Sequence, residues 1–387
     1  MAAGNRKAME TNWKGPMVSL VLIGALCLGL DACSNRNAID ANLSGGASSA
    51  VASSAAGGPA RGGSAGCSLP SSFQWSSSGV FLSPTSNGSH DLNALKDPTI
   101  VFYDNKWHLY ATSVGPKGYG MVYMSLPDLA HPASATTYYM DQTPGFAGYH
   151  VAPQLFFFRP QNKWYLVYQS GPPQYSTSDD PGTPGAWTRP ASFFSGEPNT
   201  LLANKGSGGG WLDFWVICDD RKCYLFFSDD NGTLYRSQTA SADFPNGFGD
   251  PVVVMKDATA SHLYEASNVY KLKGVDKYLL LVEAYDAGSS SHRYFRSWTA
   301  DTLDGAWTPL ADSFATPFAS TANVTFDGAR WTNDISHGEM IRDGYDETLT
   351  VDPCRMKYLY QGFDPAANTS VYNDIPWRLG LLTQTRR

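Results

Sequence analysis

The sequence predicts an all-β chain folded as a five-bladed β-propeller, and three observations carry that expectation. A hairpin of two aromatic strands joined by a polar turn recurs five times at spacings of several tens of residues. The copies align from the same starting point, as the blades of a radially repeated sheet would. The 387 residues include 21 Tyr, 19 Phe, 11 Trp and 37 Gly, which supply a large aromatic core and many turn positions. A β-sandwich would also give many short strands, but would not explain copies in a common register.

The first hairpin lies in Ala94–Val114. Thr99 to Tyr103 and Trp107 to Thr112 read as strands, and Asp104, Asn105 and Lys106 between them have the chemistry of a tight turn. Met121 to Leu129 reads as a third strand. The second copy is Ala152–Ser170 (APQLFFFRPQNKWYLVYQS) and the third Leu212–Asp230 (LDFWVICDDRKCYLFFSDD), followed by a third strand at Thr233–Ala240. The fourth is Glu265–Tyr285 and a weaker fifth is His337–Gly362. PGAWTRP around Trp187 and DGAWTPL around Trp307 repeat in the same way.

Ahead of the first hairpin the chain is of a different kind. Arg6, Lys7 and Lys14 precede an apolar run from Met17 to Leu30, which suits a signal peptide and is short for a membrane span, so 1–33 reads as a leader. Leu30-Asp31-Ala32-Cys33 has the outline of a lipoprotein box with Asp31 out of place. Residues 34–66 are almost entirely Ser, Gly, Ala and Asn, a flexible spacer with nothing to bury. The propeller is therefore expected over 67–387, in a secreted, extracellular, monomeric protein with no membrane contact once the leader is removed. Sequons at Asn42, Asn87, Asn231, Asn323 and Asn368 agree with that route.

Four cysteines remain outside the leader. Cys218 and Cys223 bracket the turn Asp219-Asp220-Arg221-Lys222 and would face each other across a hairpin, and Cys67 and Cys354 are then left to pair and pin the first ordered residues to the last part of the domain. Four free buried thiols are the alternative, disfavoured by an oxidising compartment. The net charge of −7 and the lack of a basic run argue against nucleic acid as a partner. Acidic, aromatic-rich proteins more often meet neutral ligands such as sugars.

In a propeller the innermost strand of each blade starts near the central axis, so the residues at the five repeat starts converge on one face. Those residues are Asp97, Pro153 or Gln154, Asp213, Glu265 and His337. Taken singly, an Asp before Pro, as in Lys96-Asp97-Pro98, is an ordinary turn residue or strand cap. Together, three carboxylates at matching positions are the equipment for glycoside hydrolysis, one protonating the leaving oxygen and another activating water or attacking carbon. A third acid close by would raise the proton donor's pKa by like-charge repulsion. Asp219-Asp220 and Asp229-Asp230-Asn231-Gly232 could be mistaken for metal loops, but they sit at hairpin turns where Asp, Asn and Gly are expected without a ligand.

Leu95-Lys96-Asp97-Pro98, Trp211-Leu212-Asp213-Phe214-Trp215-Val216-Ile217-Cys218-Asp219-Asp220, Tyr264-Glu265-Ala266, Ser336-His337-Gly338-Glu339, Tyr360-Gln361-Gly362 and Arg378-Leu379-Gly380-Leu381-Leu382-Thr383 occur in this order. The ordered set resembles glycoside hydrolase family 62, the α-L-arabinofuranosidases acting on arabinoxylan, from about Cys67 to the C-terminus. The resemblance implies a five-bladed propeller and an inverting mechanism in which Asp97 is the general base, Glu265 the general acid and Asp213 the residue that tunes and orients the acid. It implies that Lys96 lines the arabinose pocket and that Tyr372 and Asn373 contact the xylan chain, although Tyr372 reads equally well as a packed core aromatic. No cofactor is required for the chemistry. His337 matches the position where related propellers hold a structural calcium ion near the axis, but one histidine is a poor site for a cation that prefers oxygen. In Tyr168-Gln169-Ser170-Gly171 the family would place an aromatic platform for a xylose ring where this chain has Ser170.

Two rival readings remain. One is a family 43 relative, an arabinanase or β-xylosidase, with the same fold and three carboxylates. The other is a non-catalytic sugar-binding propeller, which would not need all three acids at the axis.

Overall fold

The computed structural model describes residues 68–206, 209–286, 292–368 and 370–385; the leader, the spacer and Cys67 lie outside them. Five sheets, antiparallel but for a short parallel strand at one edge of two of them, make a five-bladed β-propeller. Blade one comprises Ala94–Tyr103, Lys106–Gly115, Gly118–Leu126 and Thr136–Tyr139. Blade two comprises Val151–Phe158, Lys163–Gln169, Pro173–Ser178 and Ala191–Ser192, and blade three Leu212–Cys218, Lys222–Ser228, Thr233–Ala240 and Val252–Lys256. Blade four is Glu265–Leu272, Tyr278–Tyr285, Arg293–Ala300 and Thr308–Ala311, with the short strand Thr350–Val351 parallel to its inner edge.

The last blade closes the ring. Its strands Ser336–Met340, Lys357–Gly362 and Arg378–Gln384 come from the C-terminal end, but Trp75–Ser77 from the other end of the domain adds beside Arg378–Gln384, with Val324–Phe326 outside it. Closure is thus by backbone pairing of first with last, Trp75 opposite Gln384 and Ser77 opposite Leu382. Trp75 is buried and its indole N–H donates to the Phe318 carbonyl at 2.7 Å.

Turn chemistry explains the local register. Asp104 and Asn105 have φ of 44° and 58°, the two left-handed residues of a type I′ turn, so Tyr103 pairs directly with Lys106. The strand expected at Met121–Leu129 runs Gly118–Leu126, because Gly115 pairs with Gly118 around a two-residue turn. The repeated tryptophans are wedges between blades. Trp187 of blade two donates to Tyr110 Oη of blade one at 2.8 Å, and Trp307 of blade four meets Phe226 of blade three edge-on.

Cys218 and Cys223 are opposite in register and form a disulfide. Cys354 is also disulfide-bonded, while Cys67, its expected partner, lies outside the described residues. One sequon is structural: the Asn323 side chain is buried and its amide donates to the carbonyls of Phe73, Pro317 and Phe318 at 3.1 Å each, leaving no nitrogen for a glycan. No helix among the described residues is long and apolar enough to cross a membrane.

Candidate active site

Every inner strand is interrupted near its start by a bulge, and the candidate residues sit on or beside it. In blades one to four the register breaks between Lys96 and Thr99, Val151 and Gln154, Leu212 and Trp215, and Glu265 and Asn268. In blade five the break is between Ser336 and Gly338. The first four breaks each contain one residue in the left-handed region, Asp97, Ala152, Asp213 and Ala266, with φ between 46° and 54°. This corrects the alignment read from sequence. The equivalent of Asp97 is Ala152 in blade two, not Pro153 or Gln154, and Ala266 in blade four, so Glu265 aligns with Lys96 rather than with Asp97. In blade five the bulged residue is His337; a Cβ on the following Gly338 would lie 1.9 Å from the Leu359 carbonyl oxygen, so only glycine packs there.

A left-handed non-glycine residue costs about 1–2 kcal/mol and persists only where its surroundings impose it. Here each bulge N–H is held by an acceptor from the preceding blade. Asp97 N–H donates to Gln361 Oε1 (2.7 Å), Ala152 N–H to Thr112 Oγ1 (2.8 Å), Asp213 N–H to Gln169 Oε1 (3.3 Å) and His337 N–H to Glu283 Oε2 (2.6 Å). These acceptors occupy one register position, opposite the residue that precedes their own bulge. Blade three has Ser228 there, whose buried Oγ has no hydrogen-bond partner among the described residues. Asp213 Oδ2 accepts the Ala266 N–H instead, at 2.9 Å. Asp213 therefore grips the backbone next to Glu265.

At the mouth, His337 Nδ1 lies 3.3 Å from Asp97 Oδ1 and 3.6 Å from Asp213 Oδ2. Burial alone would lower the His337 pKa, but Asp213, Asp97 and Glu283 outweigh it and raise the imidazole above its ordinary value. Burial likewise opposes the Asp97 charge, yet Lys96, 3.9 Å away, and His337 hold its carboxyl below the usual range. Asp213 is pushed up to about 6, first by burial and then, against the pull of His337, by repulsion from Glu265 and Asp97. Glu265 is paired with Arg293, which also binds Glu283 and lies over the Tyr264 ring. Glu283 is pushed up to about 7 by burial, partly offset by Arg293.

Lys96 is buried, and its Nζ donates to Tyr372 Oη at 3.2 Å with the rings of Tyr372, Tyr119 and Trp377 within 5.1–5.8 Å. Tyr372 is 41% exposed, so it is a rim residue and not a packed core aromatic. Asn373 accepts from Tyr119 Oη at 2.7 Å and its carbonyl from Asn93 at 3.2 Å, so its side chain orients Tyr119. Ser170 follows the end of blade two's second strand. The exposed aromatic beside that strand end is Tyr149, whose Oη accepts from Gln169 Nε2 at 2.7 Å and whose ring lies 6.0 Å from Tyr119.

Among the described residues no three His, Cys, Asp or Glu side chains form a group able to hold a metal ion. At the axis His337 brings one imidazole nitrogen beside the carboxylates of Asp97 and Asp213, 3.3 and 3.6 Å away; an imidazole is a weak donor for calcium, which prefers oxygen.

Sequence reasoning missed Arg293, Glu283, Tyr119 and Tyr149. For Glu283 a signal existed: Thr112, Gln169, Ser228, Glu283 and Gln361 fall at the same place in each second strand. Aligning the hairpins on those polar strand ends would have found them.

Residues 74–383 match the family model described as Glycosyl hydrolase family 62. The "Alpha-L-arabinofuranosidase C" of Cellvibrio japonicus is 46% identical over 319 residues, 82% of this chain and 48% of that protein, so the chain spans about half the length of that relative. The solved catalytic domain of a family 62 α-L-arabinofuranosidase from Coprinopsis cinerea is 51% identical, with a TM-score of 0.79 over 82% of this chain and 98% of that one. A family 62 hydrolase solved in complex with xylotriose is 47% identical, with a TM-score of 0.77 over 81% of this chain and 98% of that one.

Proposed function

The chain belongs to glycosyl hydrolase family 62, and from that premise we propose that it is a secreted α-L-arabinofuranosidase that removes arabinofuranosyl side chains from arabinoxylan with inversion of configuration. The observation that carries the reading is the meeting of Asp97, Asp213 and Glu265, from three different blades, around His337 and Arg293 at one mouth of the ring. The names of the relatives support the reaction, and the xylotriose complex of one of them supports a xylan-type substrate.

In this reading Glu265 gives its proton to the glycosidic oxygen as the bond to the anomeric carbon breaks. Asp97 takes a proton from a water whose oxygen bonds to that carbon from the opposite face. The setting of Asp97 suits a base, since Lys96 and His337 favour its anion. Asp213 suits an orienting role: its hydrogen bond to Ala266 N–H steadies the strand that carries Glu265, and the charge of Glu265 in turn helps to push up the pKa of Asp213. Lys96 and Tyr372 would border the arabinose pocket, and Asn373 would act on the xylan chain largely through the placement of Tyr119.

Incubation with wheat arabinoxylan tests the proposal. Free arabinose should be the product, with the xylan chain length unchanged. Xylose, or oligosaccharides from debranched arabinan, would favour the family 43 type of activity; binding without release would favour a sugar-binding propeller.

A further inference from the structure

The second strand of every blade places a polar residue opposite the one that precedes the bulge: Thr112, Gln169, Ser228, Glu283 and Gln361. In blades one, two and five a neutral side chain is enough to accept the next blade's bulge N–H. Blade four alone has a carboxylate at that position. Glu283 is buried and stands directly opposite Glu265, where like charges across a strand pair repel. A buried charge there needs a function that a glutamine would not serve.

All of its hydrogen-bond partners donate. Ser336 Oγ and the His337 N–H meet Glu283 Oε2 at 2.9 and 2.6 Å, and Arg293 Nη1 meets Oε1. The same Arg293 nitrogen holds Glu265 Oε1. From Ser336 the bonds continue: Gln361 Nε2 donates to Ser336 Oγ at 3.0 Å, and Gln361 Oε1 accepts the Asp97 N–H at 2.7 Å. Arg293, Glu283, Ser336 and Gln361 thus make an unbroken line from the carboxyl of Glu265 on blade four, through blade five, to the backbone of Asp97 on blade one. Its direction is fixed. Gln361 can turn its oxygen to Asp97 only by turning its amide N–H to Ser336, whose hydroxyl hydrogen is then left for Glu283. Burial opposes the Glu283 charge and raises the carboxyl to about 7, against the pull of Arg293.

We propose that Glu283 is a positioning residue for both ends of the reaction: through Arg293 it sets the acid, and through Ser336 and Gln361 it sets the base. For the acid the effect is one of charge balance. A general acid enters the reaction protonated, and if Glu265 were the one anion on Arg293, its protonation would strand a buried cation without a partner. Glu283 stays on the guanidinium, so Glu265 can carry a proton and pass it to the glycosidic oxygen with Arg293 still paired. For the base the effect is geometric. The left-handed backbone of Asp97, at φ 46°, is held from Gln361, and Ser336 fixes which way the Gln361 amide points.

The proposal rests on the reading of Glu265 as the acid and Asp97 as the base, and its test separates their failure from its own. Glu283→Gln keeps an oxygen for Ser336 and for the His337 N–H, as Gln169 and Gln361 do for their own bulges, but removes the anion and turns an amide N–H towards Arg293. Arg293 then has Glu265 as its one carboxylate and holds it as the anion. The proton donor is lost. Turnover of arabinoxylan should fall about 100-fold, the lower end of what a general acid contributes, and that of 4-nitrophenyl α-L-arabinofuranoside, whose leaving group departs unaided, by no more than about threefold. A merely structural defect would lower both alike. Wild-type turnover of both substrates in Glu283→Gln, or equal losses on both, overturns the proposal, while a split between the substrates in Glu265→Gln leaves the acid reading standing. No split in Glu265→Gln overturns the acid reading and, with it, this role for Glu283. Ser336→Ala cuts the line between its two ends and leaves every charge in place. It loosens the base, which both substrates need, so kcat should fall about tenfold on each with KM within about twofold of wild type. Should Glu283→Gln not fold, this variant decides: wild-type kcat on both substrates contradicts the proposal.

Discussion

Asp97→Asn should lower kcat on arabinoxylan by about three orders of magnitude while leaving KM within a few-fold of wild type, because general acid–base groups contribute about 10²–10⁴-fold and act mainly in the transition state. The substitution is well suited to the question. Asparagine accepts the left-handed backbone at this bulge, where φ is 46°, and the N–H of residue 97 can still donate to Gln361. What is lost is the anion that Lys96 and His337 stabilise, and with it the ability to take a proton from water. Steady-state kinetics with circular dichroism as a folding control make the measurement, and activity within tenfold of wild type would remove Asp97 from the role of base.

Glu265→Gln should cost about 10³-fold on arabinoxylan, at the upper part of the range for a general acid, but far less on 4-nitrophenyl α-L-arabinofuranoside. The difference between the two substrates is the informative quantity. A sugar alkoxide is a poor leaving group without a proton, whereas 4-nitrophenolate departs unaided, so the loss of a proton donor is felt by the first and largely spared by the second. A structural defect would lower both alike. Arg293 keeps its bond to Glu283 in this variant, so the guanidinium is not left as an unpaired buried charge. Equal losses on the two substrates would count against Glu265 as the acid.

Much of this arrangement was legible in the sequence because it is written in short-range chemistry. Asp104-Asn105 predicts a tight hairpin wherever it stands between alternating strands, and the structure has the type I′ turn. The five hairpins share a starting point because every blade meets the same axis, and that periodicity alone places Asp97, Asp213, Glu265 and His337 at one mouth. The offset of Glu265 by one residue was not legible. It depends on a backbone bulge, and a bulge leaves no trace in the alternation of residue types. Nor was ring closure by Trp75–Ser77, since three residues show no period. Asn323 carries a sequon and yet spends its amide nitrogen on three backbone carbonyls, a fact set by tertiary placement alone.

The fold also explains why the carboxylates are placed so firmly. Each stands on or next to a bulge whose N–H is gripped by the preceding blade, so a shift in one blade must disturb its neighbour's hydrogen bond as well. Asp213 is part of both systems, accepting the Ala266 N–H and facing His337. Its charge and its hydrogen bond cannot be changed independently.

The central claim is that Asp97 activates water on the face of the sugar opposite to Glu265. Asp97 and Glu265 lie on blades one and four, which are not neighbours in the ring, and an inverting pair requires a gap of roughly 6.5–9.5 Å to admit that water. The stereochemistry of the first product reads this most directly. In proton NMR spectra taken within the first turnovers of an arabinoxylan oligosaccharide, before mutarotation, β-L-arabinofuranose should be the anomer released. Appearance of the α-anomer first, or a glycosyl group trapped on either carboxylate, would contradict the account and make Asp97 a nucleophile.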